Sequence, residues 1–257
     1  MPAIRVLTPK VEKAVVLSDF HIPFHDETCL SLSLDLCSRL KPENLFLLGD
    51  IIDFYGLSDF LRDPSRLGDL QDELDQVGKI LGNFRKAVGR KCRIIYLEGN
   101  HDYRLVKYLW KHPEIASLED LKLSSLLKLD DLFIEHRGYH DPLRWRGLQV
   151  EHGDRISGYS CYTARQMLDA RGLSGISGHS HRMGLYYRRQ EAGVQCWAEN
   201  GCLCSLKVEY SISPNWQHGF SILHSIGERG DRFHIEQVPV LGGKIYREGQ
   251  VFEVVRR

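Results

Sequence analysis

The chain has 257 residues, of which 42% are hydrophobic and 26% charged, a composition typical of folded globular proteins and unlike that of disordered chains. Its 34 Lys and Arg residues balance 34 Asp and Glu residues, so no overall positive charge draws it to nucleic acid or to an anionic membrane. The sequence shows no secretory signal pattern and no apolar run near the roughly 20 residues that span a bilayer. We therefore expect a cytoplasmic protein without a membrane partner.

The first hundred residues alternate apolar, strand-like runs with helical patterns. Strands are predicted over 13–17, 44–48 and 93–97, and helices over 28–40 and 70–88. This order predicts a parallel sheet with crossover helices. In such sheets the loops at the carboxyl ends of the strands collect the binding groups.

The pattern changes twice in the rest of the chain. Residues 103–130 are mainly helical, with an interruption at Pro113, and are predicted to be a helical insertion in which most of Leu105, Tyr108, Leu109 and Trp110 pack on the sheet. After Leu132 come short β segments, which predict a second, largely antiparallel sheet. No repeat or linker divides the chain, so we expect one domain over 1–257 with a C-terminal β-rich segment over 184–257.

The seven cysteines are an odd number at irregular positions. Only Cys202 and Cys204 are close together, and no second pair lies at zinc-ribbon spacing. The pattern therefore predicts free thiols rather than disulfides.

Five short motifs each end a strand-like run with a side chain that can bind a metal ion. In chain order they are Asp19-Phe-His21, Gly49-Asp50-Ile-Ile-Asp53, Gly99-Asn100-His101-Asp102, His152-Gly153-Asp154 and Gly178-His179-Ser180-His181. One motif alone is weak, but the set is consistent. The glycines permit sharp turns and close backbone approach to a ligand. Carboxylate, imidazole and amide donors without a motif cysteine suit manganese, iron, zinc or similar ions.

This order of motifs resembles that of the calcineurin-like metallophosphoesterases over roughly residues 14–182. The resemblance implies an α/β fold, a four-layer αββα sandwich of two mixed sheets flanked by helices. It also implies a metal-dependent phosphoesterase that hydrolyses phosphomonoesters or phosphodiesters, small molecules or nucleotides, by attack of a metal-bridging hydroxide. Two divalent cations are expected, with manganese preferred and iron, zinc, nickel or cobalt as alternatives.

The resemblance also implies a role for each motif residue. Asp19, His21, Asp50 and His181 would bind one metal ion, and Asp50, Asn100, His152 and His179 the other, so that Asp50 bridges the two. His101 would protonate the leaving oxygen or stabilise the charge that develops there, and Asp53 would orient its ring and favour its charged form.

Four further residues lie beside the motifs. Arg104 and Arg182 are candidates for binding a substrate phosphate. Asp102 and Asp154 are either acceptors for ligand imidazoles or turn-forming surface residues.

The motifs leave alternatives open within the family. A protein Ser/Thr phosphatase is disfavoured because Asp53 is followed by Phe54-Tyr55 instead of Arg-Gly, and because Glu98 replaces the arginine before Gly99-Asn100-His101. A nuclease remains an alternative, although the overall charge does not indicate one, and a non-catalytic scaffold is a third.

The C-terminal part of the chain is rich in aromatic residues. Trp197, Tyr210, Trp216 and Phe220 lie within a short span. Stacking of a nucleobase on Trp216 or Tyr210 is conceivable, but we expect these side chains to pack in the second sheet.

Overall fold

Two β-sheets form the centre of the fold. A computed structural model describes residues 11–191, 193–207, 213–226 and 232–255. The strands in these ranges are β1 (Lys13–Leu17), β2 (Asn44–Leu47), β3 (Arg93–Leu97), β4 (Ile134–Arg137), β5 (Leu143–Trp145), β6 (Leu148–Glu151), β7 (Gly175–Ser177), β8 (Met183–Gln190), β9 (Gly193–Asn200), β10 (Gly219–Ile226), β11 (Arg232–Leu241), β12 (Lys244–Arg247) and β13 (Gln250–Glu253). The helices are α1 (Glu27–Leu40), α2 (Leu70–Val88), α3 (Arg104–Lys111), α4 (Leu123–Leu126) and α5 (Tyr162–Arg171).

The first sheet has eight strands in the order β13-β12-β11-β10-β1-β2-β3-β4. Strands β1 to β4 are parallel, and β1 and β2 are each followed by a crossover helix, as the sequence predicts. Residues 14–17 and 44–47 are buried on both faces of the sheet, which explains their uninterrupted apolar pattern.

The second sheet has five strands in the order β5-β6-β7-β9-β8. The prediction of a largely antiparallel second sheet is wrong in two respects. Strands β6, β7 and β9 pair in parallel, so the sheet is mixed. In addition, β4 and β10 to β13 belong to the first sheet, where β10 pairs antiparallel with β1. An alternation of apolar and polar residues identifies a strand, but it does not specify which sheet the strand joins or which strand it pairs with.

Three clusters of buried side chains separate four layers. One cluster joins the first sheet to α1 and α2 and includes Val15, Leu17 and Phe84. Another lies between the two sheets, and a third joins Trp197 of the second sheet to Met167 of α5. Helix, sheet, sheet and helix therefore follow one another, which confirms the predicted αββα sandwich of two mixed sheets.

The segment 103–130 is helical only in part. Between α3 and α4 lies a turn-rich stretch with a short 3-10 helix at Glu119–Leu121. Leu105 is buried and Leu109 packs against the core, whereas Tyr108 is 40% and Trp110 65% exposed. The expected packing on the sheet therefore holds for the leucines and fails for the two aromatic residues.

All seven cysteines are free thiols, as predicted. None of the helices in the described ranges combines the length and the apolar composition needed to cross a membrane.

Candidate metal centre

The five motifs meet at the carboxyl ends of strands from both sheets. Asp19 and Asp50 follow β1 and β2, and Asn100 follows β3. His152 and His179 follow β6 and β7 of the second sheet. Because both sheets present these ends to the same side, residues far apart in sequence become neighbours.

Five of the seven predicted metal ligands have a left-handed backbone conformation. The φ angles are 55° at Asp19, 50° at His21, 51° at Asp50, 65° at His179 and 55° at His181. This region costs a non-glycine residue about 1–2 kcal/mol, and such strain is concentrated at functional sites. The loops therefore hold these side chains in directions that an ordinary turn would not give.

Three of the motif glycines allow the loops to approach one another, and one of them is Gly49, where a Cβ atom would lie 2.3 Å from the backbone nitrogen of Gly99. A Cβ atom on Gly99 would lie 2.2 Å from Oδ1 of Asp50, and one on Gly178 would lie 2.6 Å from Oδ2 of Asp19. All three distances are shorter than any normal contact, so only glycine fits. The predicted close backbone approach is confirmed at all three positions.

The first donor group consists of Asp19, His21, Asp50 and His181, whose ligand atoms all lie within 4.8 Å of one another. Nε2 of His21 is 3.1 Å from Nε2 of His181, which is 3.2 Å from Oδ1 of Asp19. Nε2 of His21 is 3.6 Å from Oδ2 of Asp50. All four side chains are buried, and they can hold a metal ion between them.

The second donor group consists of Asp50, His152 and His179, whose ligand atoms also lie within 4.8 Å of one another. Nε2 of His152 is 3.3 Å from Oδ2 of Asp50 and 3.0 Å from Oδ1 of Asn100. The structure thus brings Asn100 to the same place. Asp50 belongs to both groups.

The hydrogen bonds of two imidazoles indicate that the donor groups suit a positively charged ligand. Nδ1 of His21 donates to Asp53 (2.9 Å), and Nδ1 of His152 donates to the carbonyl oxygen of Leu48 (2.6 Å). In the neutral rings each Nε2 then carries a lone pair that faces other acceptor atoms. Such an arrangement requires a positive charge, either a proton or a metal ion, between the acceptors. The donor set and its supporting hydrogen bonds fit divalent cations.

The electrostatics of the donor groups support the same conclusion. Burial alone would raise the pKa of Asp50, but the charges of His152 and His101 outweigh burial and hold it well below its usual value. Against the effect of burial, Asp50 raises the pKa of His152 to about 9. Burial and the charge of His152 lower the pKa of His179 to about 4. The carboxylates are therefore ionised and attract positive charge.

Asp53 binds two imidazoles, whereas the resemblance implies one. Its Oδ2 accepts hydrogen bonds from Nδ1 of His21 (2.9 Å) and from Nδ1 of His101 (3.1 Å). Arg104 donates to its Oδ1 at 3.1 Å. Burial would raise the pKa of Asp53, but the hydrogen bonds from His101 and His21 hold it far below its usual value. Asp53 is therefore an anion that fixes both rings.

His101 lies at the edge of the donor groups, with Nε2 4.0 Å from Oδ2 of Asp50. Its pKa is lowered, because burial outweighs the attraction of Asp50 and Asp53. Asp53 favours the charged form of His101, as the resemblance implies, but the effect of burial on the pKa is larger. Arg104 places NH2 3.2 Å from the same Nε2, which adds a positive charge beside the ring.

The two arginines that the sequence suggests for substrate binding have different environments. Arg104 lines a cavity beside His101. Arg182 does not line this cavity: its side chain is buried, and its NH1 donates to the carbonyl oxygen of Ser180 at 2.9 Å. Of the two arginines, only Arg104 is among the described residues that line the cavity.

Asp102 does not have either of the environments that the sequence suggests. It is fully buried, and its carboxyl group accepts hydrogen bonds from the amides of Asp50 (2.6 Å) and Gly99 (2.7 Å) and from the hydroxyl of Tyr96 (2.6 Å). Burial and the charge of Asp50 raise its pKa to about 7. Asp102 joins two motif loops, whereas Asp154 is an exposed residue paired with Arg171 at 3.2 Å.

A cavity of about 640 Å³ opens beside the first donor group. Trp216 lines it, with its ring centroid 4.2 Å from that of His181. The prediction of packing in the second sheet is correct for Trp197, which is fully buried there. It is wrong for Phe220, which is buried on β10 of the first sheet, and for Trp216. Tyr210 lies outside the described residues.

Sequence reasoning assigned no role to Cys204. Its Sγ lies 3.8 Å from Nδ1 of His181, and it forms a possible ligand group with His181 and His21. The residue lies outside the five motifs, and the one sequence signal that singled it out was its close spacing to Cys202, which was interpreted as free thiols.

The layer order and the meeting of all five motifs agree with what the sequence resemblance implies. The chain resembles the calcineurin-like metallophosphoesterases in fold as well as in motif order. No family model matches it. Its curated relatives include the Gene 54 protein of Mycobacterium phage D29, 28% identical over 264 residues that cover 95% of this chain and 99% of the relative. The Gene 54 protein of Mycobacterium phage L5 is 26% identical over 263 residues, with coverages of 95% and 99%.

Similar solved structures include a single mutant of Vps29 from Entamoeba histolytica, with 11% identity, coverage of 94% of this chain and 99% of that one, and a TM-score of 0.47. Another is Yfce, a phosphoesterase from E. coli, with 13% identity, coverages of 88% and 98%, and a TM-score of 0.40.

Proposed function

We propose that this protein is a metal-dependent phosphoesterase that hydrolyses phosphomonoesters or phosphodiesters. The observation that carries the proposal is the pair of buried donor groups that share Asp50, with His101 and Arg104 beside them. In this proposal Asp19, His21, Asp50 and His181 hold one divalent cation, and Asp50, Asn100, His152 and His179 hold the other. Manganese is the first metal to test.

Bound cations would lower the pKa of a water molecule and offset the negative charge of the phosphoryl oxygens. Asp53 fixes the rings of His21 and His101 through their Nδ1 atoms. This leaves Nε2 of His101 directed to the place where a leaving oxygen would become negative.

His101 and Arg104 would have different roles at the leaving oxygen. Only the doubly protonated ring of His101 has a proton on Nε2 that could pass to that oxygen, and the bond from Nδ1 to Asp53 favours this form against the burial that lowers the pKa of His101. The guanidinium of Arg104, held by Asp53 and 3.2 Å from Nε2, adds positive charge at the same point.

A substrate panel tests this function. Manganese-loaded protein should hydrolyse bis-p-nitrophenyl phosphate or p-nitrophenyl phosphate, whereas EDTA-treated protein should not. Failure on both substrates with full metal content would favour the scaffold alternative. Single-stranded and duplex DNA belong in the same panel, because a nuclease would cleave them with a strong dependence on salt.

A further inference from the structure

The cavity of about 640 Å³ is on one side of the donor groups. It is lined by His21, His101 and His181, whereas His152 and His179 are not among its described lining residues. A phosphoester held at the donor groups would therefore extend one substituent into this cavity, past His101. The volume is within the range of cavities that bind small molecules in proteins.

The described lining of this cavity is unusually rich in aromatic residues. Phe24, Tyr55, Phe60 and Trp216 contribute to it. Phe60 is 80% exposed, and its neighbour Leu61, which also lines the cavity, is fully exposed. A flat aromatic ligand would cover these apolar side chains and stack against rings, and both effects favour binding.

The cavity also carries positive charge. Of its described lining residues Arg66, Arg104 and Lys207 are cationic, and Asp53 is the carboxylate. Arg104 offsets the charge of Asp53 at 3.1 Å, and Lys207 adds a further positive charge to the described lining. The guanidinium of Arg66 lies 4.1 Å from the ring centroid of Phe24, so a cation borders the aromatic wall. The ligand should therefore be both aromatic and anionic.

We infer that this cavity binds the nucleoside part of a nucleoside phosphate, with the base against the aromatic side chains and the phosphoester at the donor groups. The inference rests on the proposed function and gives it a substrate class. Aromatic walls beside cations are the chemistry by which proteins bind unpaired bases. A free nucleotide and the terminal nucleotide of a strand present the same groups.

Calorimetric titration of manganese-loaded protein tests the role of the base without turnover. The probes are the 5′-phosphonate analogues of AMP and of ribose 5-phosphate, which contain a P–C bond that is not hydrolysed and differ only in the base. The analogue with adenine should bind at least about 10-fold more tightly, as expected for one stacked base. Equal affinities would overturn the inference.

A variant of the exposed wall locates the binding. Phe60→Ala should lower the affinity for the adenine analogue about 5- to 10-fold and leave that for the ribose analogue within about 2-fold. Because Phe60 is 80% exposed, the substitution should not disturb folding. Phe133→Ala is the matched control: it removes another exposed phenylalanine, outside the cavity lining, and should change neither affinity. An unaffected Phe60→Ala variant would refute the placement of the base.

A third probe distinguishes the two sources of the nucleotide. Tighter binding of a 5′-phosphonate tetra-adenylate than of the single nucleotide would assign the cavity to a strand end, and equal binding would assign it to free nucleotides. Either result supports a base in the cavity.

Hydrolysis is scored separately from binding. If the protein cleaves nitrophenyl esters but binds the two phosphonates equally, the inference about the base site is wrong and the proposed function stands. If the protein prefers the adenine analogue but cleaves no ester, the base site is supported and the proposed function is wrong.

Discussion

Glu73, in the first turn of α2, is buried behind the candidate metal centre and offers a quantitative test of the electrostatics. Its side chain is 3% exposed, and its Oε2 has no hydrogen-bond partner among the described residues. Burial, together with the charge of Asp53, raises its pKa from 4.5 to about 7. The difference corresponds to about 3 kcal/mol between the protonation states.

The sign of the pH dependence follows from this shift. The folded chain binds the proton of Glu73 more strongly than the unfolded chain does. Its contribution to stability is therefore complete below pH 4.5, declines as the pH rises to about 7, and is absent above that value. Glutamine resembles the protonated carboxyl group, so Glu73→Gln should raise the free energy of unfolding by about 2–3 kcal/mol at pH 8 and by little at pH 4.5.

Urea unfolding followed by tryptophan fluorescence, in EDTA to remove metal ions, measures this effect at both pH values. Glu114→Gln, at an exposed position, is the control and should change stability little at either pH. Equal stabilisation by Glu73→Gln at both pH values would contradict the electrostatic explanation, and so would a loss of stability at pH 8.

Three other substitutions test the centre itself. His101→Ala should keep its metal content, measured by mass spectrometry, while turnover falls about 10²-fold or more; a parallel loss of metal would show that His101 is a ligand. Asp50→Asn should lower the occupancy of both metal positions, and two fully occupied ions would exclude a bridging carboxylate. Gly99→Ala, whose Cβ would lie 2.2 Å from Oδ1 of Asp50, should lose metal and about 2 kcal/mol or more of stability. Gly138→Ala, where a Cβ meets nothing within 4 Å, is its control, and similar losses in both variants would argue against a steric cause.

The local features of the fold were readable from the sequence because short-range patterns encode them. The apolar runs that became β1, β2 and β3 are buried on both faces, and the stripe on α2 faces the core. The partners of the later strands were not readable. Strand β10 lies beside β1, about 200 residues earlier in the chain, and no local pattern specifies such a pairing.

The candidate metal centre, like the fold, was predictable from the sequence only in part. The donor residues could be named from the motifs, because each follows a strand and the ends of parallel strands converge. The sequence did not indicate that Asp53 bonds both His21 and His101 or that Asp102 joins the loops of Asp50 and Gly99. Nor did it indicate that Arg182 is buried and bonds the carbonyl oxygen of Ser180. These relations depend on the left-handed backbone of the loops, which side-chain identity alone does not reveal.

Local periodicity in the sequence thus determined the first three strands and the helices between them, and residue chemistry determined which side chains are available to bind metal ions. The four layers of the fold were implied by the family resemblance. Only the tertiary structure decided what lies next to these side chains. It brought Trp216, which the sequence assigned to the second sheet, against His181, and it placed Phe60 and His101 in the lining of one cavity. Long-range packing determines which surface the substrate meets, and this information is spread over the whole chain.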